Sequence, residues 1–178
     1  EAEERVEVTT RAITRRPRVD KPIARFHTQA CIGVFGMQPD YAAVIIDRMQ
    51  GHARRLGIPV GGEGCQVNVL VGFVRDGEEE IRELRKAEPK LFSTLLDYEF
   101  DRILRGNVAV QAWHGTALMS SDGRAFSTGG GGSGGPEFAV NSTYSASRLR
   151  DEVRMDMTGA IVLIDSERTP GKTLQQLA

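Results

Sequence analysis

A chain of 178 residues fits one domain whose core holds itself together without structural metals. Hydrophobic residues make up 40% and the formal net charge is −1, so the overall balance calls for neither nucleic acid nor an anionic membrane as a partner. No apolar run approaches the roughly 18 to 20 residues of a membrane-spanning helix, so no transmembrane segment is expected, and the start EAEERVEVTT, without Met or a signal-peptide pattern, reads as a processed or trimmed one.

In chain order, the loosely alternating RVEVTTRAI and the basic, proline-containing RAITRRPRVDKP predict an N-terminal edge strand or arm over residues 1–25. Residues 29–36 read as a first core strand. MQPDYAAVIIDRMQGHARRLG then sets Ala42, Ile45, Ile46, Met49, Ala53 and Leu56 on one helical face, with Pro39 in the first turn and Gly57 at the end. QVNVLVGFV is apolar on both faces, as a central strand covered on each side must be. Two helical stretches follow, DGEEEIRELRKAEP and KLFSTLLDYEFDRILRG, divided at Pro89; the first has its acids early and its bases late, as the helix dipole favours. NVAVQAWHGTALM alternates like a strand.

The glycine-rich stretch at 128–135, within STGGGGSGGPEF, has almost no side chain to pack and predicts a mobile hairpin tip or flap. It would also suit an engineered linker. EFAVNSTY and VRMDMTGAIVLID predict the last strands, and IDSERTPGKTLQQLA turns at Pro-Gly into a final helix. Strand-helix-strand at the beginning implies a right-handed crossover and a parallel pair, whereas the closely spaced later strands imply antiparallel partners. The expectation is an α/β or α+β domain over residues 26–178, with helices packed on a mixed parallel/antiparallel sheet.

Cys31 and Cys65 each stand at the leading edge of an apolar run. In neighbouring parallel strands those positions lie side by side, and a bridge there closes a loop of about 35 residues, worth roughly 3 to 4 kcal/mol in the chain-entropy model. An even cysteine count and matched positions favour that disulfide in an exported protein; two buried free thiols are the alternative.

The familiar catalytic motifs are missing. HExxH does not occur, and His27, His52 and His114 fall on three different elements, so no protein-bound metal is expected from them. Gly171-Lys172-Thr173 lies at a strand-turn-helix junction as a phosphate-binding loop would. However, Ser166 stands where the first glycine belongs, and Pro170 removes a backbone N–H. No nucleophile elbow occurs, no catalytic residue stands out, and no cofactor is called for. Trp113 and His114 adjoin the end of a strand next to the glycine-rich segment and are the candidate ligand cleft, against the plainer reading of an inward Trp beside a surface His. Asn141-Ser142-Thr143 fits a glycosylation acceptor.

CIGVFGM, CQVNVLVGF, RELRKAEPKLF, VQAWHGTAL and the closing GAIVLID with LQQLA together resemble a group of exported bacterial proteins with no assigned activity. In element order the chain is also similar to the N-terminal part of zincin metallopeptidases. That resemblance implies that residues 173–178 open the helix presenting the zinc ligands, yet Leu174, Gln175, Gln176 and Leu177 include none. The resulting expectation is a non-catalytic, exported, periplasmic or envelope-associated domain on a metal-free zincin-like scaffold, binding a protein or envelope component. A metal-dependent hydrolase completed by residues beyond 178 is the alternative, and a phosphate or nucleotide binder using the GKT turn is a further one.

Overall fold

A computed structural model describes residues 22–105, 108–129, 138–140 and 153–177. Its elements are β1 (Ile32–Phe35), α1 (Pro39–Arg55), β2 (Val69–Val74), α2 (Gly77–Ala87), a 3-10 turn (Pro89–Phe92), α3 (Asp97–Arg105), β3 (Val110–Ser120), β4 (Ser127–Gly129), β5 (Phe138–Val140), β6 (Val153–Asp165) and α4 (Leu174–Leu177). No helix among the described residues is long and apolar enough to cross a membrane.

The main sheet has the order β1-β2-β6-β3. β1, β2 and β6 run parallel, and β3 lies antiparallel along β6 at the edge. This is the mixed sheet of an α+β domain. β4 and β5 form a separate antiparallel pair, so the glycine-rich segment between them joins two paired strands. Residues 130–135 of that segment, the arm before residue 22 and the Asn141 acceptor motif lie outside the described residues. At the end of the arm, Arg25 bridges β6: its N–H donates to Met155 O at 3.1 Å, and Met157 N–H donates to Arg25 O at 2.8 Å.

Alternation along the strands sends side chains to two covered faces. On one, α1 buries Ala42, Ile45 and Ala53 and packs against β1, with Pro39 opening the helix and Gly57, at φ +72°, following its end. Leu56 departs from the predicted buried stripe and is 76% exposed, because it is the C-cap residue, already off the helical spiral. On the other face lies the aromatic core of Ile81, Phe92, Phe100, Trp113 and Leu163, where Phe92 stacks on Trp113 at 5.0 Å and meets Phe100 edge-on at 5.5 Å. α2 is capped by Asp76, whose carboxylate accepts the Glu78 and Glu79 N–H groups.

The second predicted helical stretch, from Lys90 to Gly106, is broken. In a continuous helix the Leu91 carbonyl would accept from Leu95 N–H; instead Leu95 N–H bonds to Phe92 O, and the Leu91 carbonyl takes the Trp113 indole N–H at 3.2 Å. Ser93 Oγ–H donates back to Lys90 O, and the Glu99 carboxylate accepts Leu96 N–H as α3 begins. The break drops Phe92 into the core and leaves the 3-10 turn beside the sheet rather than continuous with α3.

Candidate functional site

The turn that breaks that helix forms one side of a cleft of about 710 Å³, within the range of small-ligand sites. Lys90, Leu91, Ser93 and Thr94 make this side, and Gln66, Val67 and Asn68, just ahead of β2, make the opposite one. Leu70, Trp113, Ala160 and Ile161 contribute from the sheet between them.

The Gln66–Asn68 wall is fixed by the disulfide. Cys31 and Cys65 are bonded, with Cα atoms 5.9 Å apart, and Gln66 follows directly. Asn68 completes the brace: its Oδ1 accepts Cys31 N–H at 2.8 Å and its Nδ2 donates to Gln29 O at 3.0 Å. The backbone N–H groups of Asn68 and Val69 both donate to Cys31 O. Parallel pairing of β1 with β2 brings the two cysteines together, as their positions ahead of the two strands predict.

The floor is bare because two glycines face each other. Gly115 pairs with Gly159, after which the register slips so that Thr116 pairs with Met157 and Thr158 is left as the extra residue of a bulge. A Cβ on Gly159 would sit 2.8 Å from Asn68 O, and one on Gly115 would sit 2.8 Å from Thr158 Oγ1. The Asn68 backbone ahead of β2 thus leaves no room for a side chain at Gly159, the Thr158 hydroxyl crowds the same space at Gly115, and the bulge turns the Thr158 side chain into the cleft lining.

Among the described residues that line the cleft only Lys90 carries a formal charge, and none of them is an acid, a histidine or a thiol. Trp113 lies in the wall, 4% exposed, with its indole N–H bonded. His114 does not line the cleft; as the next strand residue it projects to the other face, while its carbonyl accepts from Thr94 Oγ1 at 3.4 Å. The candidate pair is therefore split by the strand's alternation.

The remaining histidines are scattered. His27 Nε2 lies 3.7 Å from buried Asp156, which Arg154 grips with two hydrogen bonds, and His52 on α1 contacts Arg55. Among the described residues no three His, Cys, Asp or Glu side chains gather as metal ligands would.

At the GKT turn four backbone donors are occupied from within. The buried Asp165 carboxylate accepts the N–H groups of Glu167 and Arg168 at 2.9 and 3.1 Å, Lys172 N–H donates to Thr169 O, and Thr173 N–H donates to Gln176 Oε1. A phosphate there would meet a carboxylate and backbone groups already bonded.

The turn at 89–94, the Gln66–Asn68 wall and the bulge are not marked as a site by the sequence. Glycines inside the strand patterns of AWHGTAL and DMTGAIV carried the available signal, since such a glycine marks a bulge or a close approach. Comparison with protein families, with curated proteins and with solved structures found no match to this chain.

Proposed function

We propose that this chain is a non-catalytic binding domain, exported to the periplasm or cell envelope, on a zincin-like scaffold without its metal, and that the cleft beside Trp113 is where it binds. The observation that carries the reading is the make-up of the cleft: apolar walls, a glycine floor, and Lys90 as the single titratable side chain among the described residues that line it. General acid–base or nucleophilic chemistry needs a matched pair of groups within hydrogen-bond reach, and among the described residues no Asp, Glu or His lines the cleft beside the hydroxyls. Ser93 and Thr94 instead donate to backbone carbonyls. The Cys31–Cys65 bridge supports export, since disulfides persist in oxidising compartments. The strand order, with an antiparallel edge strand and a closing turn into α4, supports the scaffold reading.

The test pairs binding with hydrolysis. An uncharged polarity-sensitive dye such as Nile red is expected to bind saturably at one site, with loss of binding in Thr158→Phe, which fills the cleft from an exposed position. Casein with added zinc is expected to stay intact. Failure of saturable dye binding, or a Thr158→Phe variant that binds like the parent, overturns the binding site; chelator-sensitive cleavage moves the assignment to the metal-dependent hydrolase.

A further inference from the structure

The hydrogen-bonding groups around the cleft restrict what it accepts. Asn68 uses both ends of its amide on Cys31 and Gln29. The Ser93 and Thr94 hydroxyls donate to Lys90 O and His114 O, and the Trp113 indole N–H donates to Leu91 O. A sugar or a nucleotide base requires several free donors and acceptors at fixed positions, because each of its own polar groups loses water on entry. Here four of the polar side chains that reach the cleft turn their donors back into the protein. What they leave is an apolar trough, formed by Val67, Leu70, Leu91, Ala160 and Ile161 over the glycine floor, with the exposed Gln66 amide, the exposed Thr158 hydroxyl and the Lys90 ammonium as its remaining polar groups. Lys90 stands exposed on the 3-10 turn at the edge of the trough, with no carboxylate partner among the described residues.

We infer that the cleft takes a single-headed anionic amphiphile, an alkyl chain ending in one carboxylate, with the chain along the glycine floor and the carboxylate at Lys90. The inference rests on the binding reading above and adds the ligand class. Burial of the chain supplies most of the affinity, in proportion to the apolar area removed from water. The exposed ion pair supplies direction and a preference for anions, and contributes modestly because water screens it.

Trp113 is the only tryptophan of the chain, so its emission reports on the cleft wall directly. The experiment titrates the protein with dodecanoate, 1-dodecanol and dodecyltrimethylammonium, each below the concentration at which it aggregates. Dodecanoate is expected to bind tightest. Lys90→Ala should weaken dodecanoate about fivefold, the size of an exposed ion pair, and leave dodecanol unchanged, while Lys90→Glu should reverse the order of the two charged probes. Equal affinity for all three probes, or a dodecanoate affinity indifferent to Lys90→Ala and Lys90→Glu, overturns the anionic class while the dye result still stands. Saturable dye binding with no response to any alkyl probe also overturns it, and loss of dye binding as well removes the site itself.

Discussion

Gln111 is 3% exposed on β3, and its Oε1 has no hydrogen-bond partner among the described residues. It presses against the first turn of α2, where a Cβ on Gly77 would come within 2.1 Å of that oxygen. An orphaned buried acceptor costs about 1 to 3 kcal/mol. Gln111→Met, which keeps the length and removes the amide, is therefore expected to raise the thermal midpoint, whereas Gly77→Ala should lower it; calorimetry on both checks the pair. A second residue-scale effect lies in the turn after β3. The Ser120 hydroxyl donates to the Asp122 carboxylate and, with Arg124 nearby, holds it below its ordinary value of 3.8. A carboxyl whose folded value is depressed adds stability that is full above the unfolded value and disappears as pH falls through the folded one. Carbon-13 NMR should therefore show Asp122 titrating below 3.8, and Ser120→Ala should move that midpoint upward. A midpoint unchanged by Ser120→Ala contradicts the assignment. Neither effect was legible in the sequence, because Gln111 shows only an alternating strand position and Asp122 only a turn residue.

Among the elements, those whose order is set by local pattern were legible. The helix from Pro39, the strand within QVNVLVGFV and the whole of VRMDMTGAIVLID appear where periodicity and turn residues put them. The helical stretch after Pro89 was misread because its amphipathic spacing is compatible with one helix, and what breaks it is a tertiary hydrogen bond from Trp113, twenty-two residues away. The cleft depends on such non-local contacts throughout: a wall tied to β1 by the disulfide and Asn68, a turn held by Trp113, and a floor made by strand pairing. Removing the bridge with Cys31→Ser and Cys65→Ser together is expected to cost about 2 to 5 kcal/mol, visible as a lower denaturant midpoint. Because Gln66–Asn68 loses its anchor, hydrogen exchange at Val67 and Asn68 should rise more than at Ile45 or Leu163, which lie in the packed layers. Uniform protection across all four positions contradicts a disulfide-held wall.

The whole molecule is a sheet covered on both faces, with α1 on one side and the aromatic core beneath α2, the 3-10 turn and α3 on the other. Its candidate site lies where this second cover stops short of the bulge midway along β3 and β6. The measurement that tests the account most directly is a two-dimensional amide NMR titration of the protein with dodecanoate. Binding in the cleft predicts the largest shifts at Leu70, Gly115, Gly159 and Ala160 and at the Trp113 indole N–H. Shifts centred instead on the smaller α1-side hollow around Met49, His52 and Ile58, or spread evenly over the chain, would contradict it.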